Sequence, residues 1–322
     1  MKRKVIQIAE STQLISLPRK WCIANSVKKG DEIEVEEQGS KIIVSCKSEH
    51  KLEHLDIHIR DYGILAPRLI YSLYKKGIDE IKIHFDSPED LEFVQKALHE
   101  ETTVGYELVE QDSKSCLIKN ISSNIMGFDN MLRRTFLLLI TLADESAKHL
   151  KGKQFEQMKG LVNLEQSNNK FTTLCRRYLN KYGGVSTHKI GPLYAIIEEL
   201  EKIADEYKYL CKVISSKKEA EIKVSANIVA QYQTLVQVLH DFYESFYKFD
   251  PKKLVHIGEV RKQFVHAWQE QLSSVKNPTE FMLMHHSLVI LQKTFNMLGP
   301  LMVLAPAGNL TEQPLVVKQG DD

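Results

Sequence analysis

Along the first 47 residues apolar and polar positions alternate in short runs, a period-two signal that predicts strands over residues 4–9, 14–17, 32–36 and 41–45. Gln38-Gly39-Ser40 supplies the turn between the last two. Pro18 ends the second strand and opens a short helix over 18–24, since proline is tolerated at the first helical position. From Leu52 to Ile121 strands and helices alternate: strand 56–59, helix 66–76, strand 80–85, helix 87–99, then strands 106–109 and 116–119. Residues 50–121 therefore read as a small α/β domain. Its second helix opens on Ser87-Pro88-Glu89-Asp90, with a capping serine, a proline in the first turn and acids near the positive helix end.

Beyond Ser122 the period becomes helical and stays so to Leu304. Ile125, Phe128, Leu132, Leu139, Leu142, Ala143 and Leu150 form one stripe, and Leu193, Ile196, Ile197, Leu200, Ala204, Tyr207 and Leu210 form another at the same three-four spacing. Breaks at Lys151-Gly152, Tyr182-Gly183-Gly184, 215–218, Asp250-Pro251 and Asn277-Pro278 divide the span into six helices. They fall into two sets of three, 122–218 and 222–304, the footprint of an internal repeat of roughly 90 residues. Residues 305–322, with Pro306, Gly308, Pro314 and a closing Asp321-Asp322, read as a disordered tail. The fold class expected is multidomain α+β, ending in an all-α pair of three-helix bundles.

A chain of 322 residues with 43% hydrophobic side chains can bury a sizeable interior in two or three domains. Its longest unbroken apolar runs, such as 136–140, fall far short of the roughly 20 residues a bilayer requires, and Lys2-Arg3-Lys4 is not followed by an apolar segment. No membrane insertion and a cytoplasmic location are expected. Cys22, Cys46, Cys116, Cys175 and Cys211 are scattered and form no C-x-x-C pair, so they read as reduced thiols. The net charge of +1 hides a sharp segregation: residues 1–30 hold seven basic side chains against one acid, and residues 31–37 hold five acids and no base. The segment 1–47 is too small to fold alone. Lacking disulfides or a metal cluster, it calls for a partner chain, and a homodimer is expected.

Ser16-Leu17-Pro18-Arg19-Lys20-Trp21, followed by Val27-Lys28-Lys29-Gly30-Asp31-Glu32-Ile33-Glu34-Val35, resembles the swapped-hairpin domain of the AbrB and MazE families. The shared pattern is a strand ending in proline, a short helix, an apolar residue before Gly-Asp, then a hairpin. Ser11-Thr12-Gln13 replaces the Gly-Gln usual before the second strand, and the Ser-Leu-Pro-x-x-Trp form is similar to archaeal proteins that join this module to a PhoU domain. The resemblance implies a dimeric interlaced β-barrel that binds DNA through Arg3, Lys4, Arg19, Lys20 and Lys28, with Trp21 and Ile23 packed in its small core. MazE-like modules also bind toxin proteins, so the resemblance leaves the partner open.

The helical half resembles PhoU. Its best local match is Leu200-Glu201-Lys202-Ile203-Ala204-Asp205, similar to a Glu-x-x-x-Asp motif whose carboxylates hold metal ions on the bundle surface. Residues four apart lie one turn above each other, which suits hard cations such as Mg, Mn or Fe. The companion motif reads Glu165-x-x-x-Asn169, one carboxylate short, so the implied site of Glu165, Asn169, Glu201 and Asp205 is degenerate. A softer site for zinc or iron from His256, Glu259 and His285 or His286 is the alternative, weighed against ordinary surface and core histidines.

No G-x-S-x-G elbow, Walker loop or dinucleotide fingerprint occurs, so catalysis is not expected. Two classes of function remain: a DNA-binding transcriptional regulator of phosphate uptake with a helical sensor or relay domain, and an adaptor docking on phosphate transporter components or a signalling protein.

Overall fold

Two units make up the chain, Met1–Glu53 and His54–Asp322. The computed structural model describes residues 2–8, 12–38, 41–45, 52–99, 103–122, 127–183, 187–217, 222–271, 275 and 277–306, so the turn at 39–40 and residues 307–322 of the expected tail lie outside the described residues. The architecture is mixed α+β with helices dominating the C-terminal part.

In the first unit β1 (Val5–Ile8) pairs antiparallel with β2 (Thr12–Ile15). β2 begins and ends two residues earlier than the alternation suggests, because the hairpin register sets Ile8 opposite Thr12. Helix α1 (Arg19–Ala24) starts after Pro18, whose extended backbone forms the N-cap and whose carbonyl accepts from Cys22 N–H at 3.0 Å. A tight turn follows. The Asp31 carboxylate accepts the Lys28 N–H at 2.7 Å, and Gly30 takes φ +94°, a left-handed conformation that favours glycine. β3 (Glu34–Gln38) then pairs antiparallel with β4 (Lys41–Ser45). The two hairpins form separate two-stranded sheets.

None of the described side chains of this unit is buried. Val5, Ile6, Ile8, Leu14 and Ile15 on the first hairpin and Val35 and Ile42 on the second are all about half exposed or more. Trp21 is half-buried, but Ile23, expected in a small core, is 68% exposed. Among the described residues nothing covers it.

The second unit opens with a four-stranded sheet in the order β5-β6-β8-β7, from β5 (His54–His58), β6 (Glu80–His84), β7 (Tyr106–Gln111) and β8 (Ser115–Asn120). β5 and β6 are parallel, joined through a 3-10 helix at Arg60–Leu65 and helix α2 (Ala66–Lys76), while β8 runs antiparallel to β6 and β7. Alternation along β6 decides the faces: Ile81 and Ile83 are fully buried and Lys82 between them is exposed. The buried side meets Ile70 and Tyr74 of α2 and Val94 and Ala97 of α3 (Pro88–His99). The expected cap of α3 is a reciprocal one, Ser87 Oγ accepting from Asp90 N–H at 3.3 Å and the Asp90 carboxylate from Ser87 N–H at 3.3 Å.

Six long helices follow: α4 (Phe128–Lys151), α5 (Met158–Tyr182), α6 (Thr187–Ser215), α7 (Ala226–Tyr247), α8 (Pro251–Gln271) and α9 (Pro278–Asn296), with a short α10 (Leu298–Leu304) at the end. α4, α5 and α6 pack on one another, as do α7, α8 and α9, and α4–α7 and α6–α9 contacts join the two sets around one continuous core. Phe136 of α4 sits among Phe242, Tyr243, Phe246 and Tyr247 of α7 at that seam, with ring centroids 4.9–6.2 Å apart. α9 begins at Asn277-Pro278, where the Asn277 side chain caps Thr279 N–H at 2.9 Å.

By length and composition the span Pro278–Leu304 is apolar enough to cross a membrane, with a mean hydropathy of 1.3 over its best window. No unbroken apolar run marks it, since His285, His286, Gln292 and Lys293 interrupt it. Its Leu283, Met284, Ile290, Leu291, Met297 and Leu301 are buried in the bundle core.

The α/β layer and the bundle fall in one unit, and Arg177 of α5, 1% exposed, lies at the seam between them. Its guanidinium donates to the carbonyls of Tyr74 and Ile78 at 2.7 and 2.8 Å and to the Asp79 carboxylate at 2.7 Å. It also lies over the Tyr74 ring at 4.7 Å. Asn180 Nδ2 caps the Lys75 carbonyl at 2.8 Å, so two side chains of α5 satisfy carbonyls at the C-terminal end of α2, where the helix dipole is negative. Gly77 ends α2 at φ +109°, and a Cβ there would meet Lys181 Cβ at 2.9 Å. Gly77→Ala is expected to cost about 1–3 kcal/mol through left-handed strain and this contact, read as a lower denaturation midpoint at unchanged slope.

Candidate functional site

The basic residues singled out in the first unit occupy three short stretches. Arg3 and Lys4 lead into β1, Arg19 and Lys20 open α1, and Lys28 begins the glycine turn. All five side chains are exposed, and none makes an ion pair among the described residues. Asp31, the nearest acid in sequence to Lys28, spends its carboxylate on the Lys28 backbone instead. Unpaired guanidinium and ammonium groups on short, rigid elements suit phosphate contacts, with arginine adding bidentate geometry.

A second polar cluster lies where α5 meets α6. Glu165 is 2% exposed, and its Oε1 accepts from Asn169 Nδ2 at 2.5 Å and from Lys208 Nζ at 2.8 Å. Lys208 also donates to Asp205 Oδ1 at 2.5 Å, one turn back on its own helix. Burial raises the Glu165 carboxyl above the usual range, against the lowering effect of the Lys208 ammonium. Burial alone would lower Lys208, but its hydrogen bonds to Asp205 and Glu165 outweigh that and raise it. Asn169 Oδ1 is buried with no partner.

Glu201 belongs to a neighbouring arrangement. Arg176 of α5, 2% exposed, donates to both Glu198 and Glu201, and its Nε reaches the Thr172 carbonyl at 3.3 Å. Thus Glu165, Asn169 and Asp205 come together around one ammonium, while Glu201 is held by a guanidinium.

These residues do not fit a resident metal. Each carboxylate of the expected set already faces a cation of the chain, and among the described residues no three His, Cys, Asp or Glu side chains converge to hold one. Glu201 and Asp205 were expected on an open surface. Instead they are half-buried and paired, because Arg176 and Lys208 reach them across the helix seam and along α6. Nor do the histidines gather: His256 Nδ1 bonds Asp241 at 2.9 Å on the α7–α8 side, and His286 Nδ1 bonds Glu206 of α6 at 2.8 Å. Sequence reasoning missed Arg176 and Lys208 altogether. The available signal was the i,i+3 spacing of Asp205 and Lys208, ordinary on a solvated helix face.

No family model, curated protein or solved structure matches the chain.

Cys116, Cys175 and Cys211 are buried free thiols, and burial pushes them up to about 11, 12 and 12 respectively. Such groups are poor nucleophiles at neutral pH. Cys22 is a half-buried free thiol, and Cys46 lies outside the described residues.

Proposed function

We propose that the chain is a DNA-binding regulator of phosphate uptake, acting as a homodimer through an interlaced, AbrB-like barrel formed by two copies of its first unit. The observation that carries this reading is the combination found in that unit: five exposed basic side chains, unpaired among the described residues, beside hairpins whose apolar residues are exposed as well. Apolar side chains on a segment of this size need a cover, and a second copy supplies it while setting two basic faces side by side. Ile23 then finds its packing across the interface. The link to phosphate rests on the resemblance of the helical half to PhoU, and the seam of two three-helix sets is consistent with it.

Sedimentation of the full chain at micromolar concentration is expected to show a dimer. Titration into a labelled duplex should show binding that weakens steeply with salt, since neutralised phosphates release counterions. A monomer whose N-terminal strands are nevertheless protected from hydrogen exchange would exclude the interlaced barrel. A dimer that fails to bind DNA at low salt would favour the adaptor docking on a phosphate transporter or signalling protein.

A further inference from the structure

We propose that Lys208 is a tethered cation occupying a position that would otherwise recruit a divalent metal, and that the bundle is built to be independent of metal. This is separate from the DNA-binding reading and stands or falls without it. The buried Glu165 and half-buried Asp205 share the Lys208 ammonium at 2.8 and 2.5 Å, and Asn169 adds a buried carbonyl oxygen with no donor. Two carboxylates and an amide carbonyl are the oxygen set a hard cation selects. A buried carboxylate left without a countercharge is strongly unfavourable, so something positive has to stay there. Here it is covalently attached.

Two turns along the seam the same logic repeats, with the Arg176 guanidinium between Glu198 and Glu201. A guanidinium does not lose its proton at any accessible pH and matches carboxylates in a fixed fork. A lysine is different. Its ammonium sits on a flexible stem with three rotatable donors, and deleting it leaves the three oxygens in place on well-packed helices.

Manganese is the probe, read by retained metal after gel filtration and by thermal melting with EDTA or about 1 mM MnCl2, a concentration at which a Kd near 10 μM yields a stabilisation of roughly a hundredfold in the folding constant. The parent protein is expected to retain no manganese and to melt at the same temperature in both. Lys208→Ala should melt roughly 5 °C or more lower in EDTA and recover on adding manganese. Lys208→Ala combined with Asn169→Asp, which adds the missing carboxylate, should bind one ion per chain. Stoichiometric manganese in the parent, or a parent as strongly stabilised by manganese as the variants, overturns the proposal even if the variants fail to fold. So does a folded Lys208→Ala protein whose melting manganese does not change.

Discussion

Replacing Arg177 with methionine is expected to lower the melting temperature of the chain by roughly 10 °C, the largest effect of any single substitution considered. The guanidinium is fully buried and satisfies the Tyr74 and Ile78 carbonyls together with the Asp79 carboxylate. Methionine keeps most of the stem's packing but removes the charged donor from all three acceptors, which are then left with Gly77 N–H, the Tyr106 hydroxyl and Lys181 as their remaining partners. Removing one partner of a buried ion pair typically costs about 3–5 kcal/mol, and for a unit of this size each kcal/mol is worth about 2–4 °C. Lys181 still reaches Asp79, so the carboxylate is not wholly abandoned, which places the loss toward the lower end. The change should also loosen β5 and β6 in hydrogen exchange before the bundle, because Arg177 makes three of the polar bonds that tie the α/β layer to α5. Uniform loss of protection across both would mean that the layer is held by its apolar contacts instead.

The second large effect lies in the first unit. Changing Arg3, Lys4, Arg19 and Lys20 together to alanine is expected to weaken duplex binding by at least about a hundredfold at moderate salt and to flatten its salt dependence, since each lost phosphate contact releases about 0.9 fewer counterions. None of the four is engaged in an ion pair among the described residues, so folding should be untouched and circular dichroism should be unchanged. Fluorescence anisotropy at several salt concentrations measures both quantities. Lost affinity at an unchanged slope would assign these residues to base edges rather than phosphates. Undiminished binding would reduce the basic face to solvated surface.

Much of the fold was legible because local chemistry agreed with global packing. Ser87 and Asp90 cap α3, Asn277-Pro278 opens α9, and Gly30-Asp31 makes its turn, each through residues at most four apart. The stripe through Ile196, Leu200 and Ala204 predicted a buried helix face, and all three are buried. Arg177 was invisible for the opposite reason: Asp79, its partner, lies 98 residues earlier, and Arg176-Arg177 beside Lys181 looks like a solvated basic face. Lys208 was hidden in the same way, since its bond to Glu165 spans 43 residues. Ile23 shows a different limit. Its apolar character is plain in the sequence, but among the described residues it stays 68% exposed.

The reading as a DNA-binding regulator of phosphate uptake is tested most directly by recovering the genomic DNA bound to the full-length protein from its own cells and sequencing the fragments. Fragments from upstream of phosphate transport genes should be enriched over input, and the enrichment should vanish in the Arg3, Lys4, Arg19 and Lys20 quadruple variant. Recovery of no DNA above background, or the same fragments from parent and variant, would contradict it.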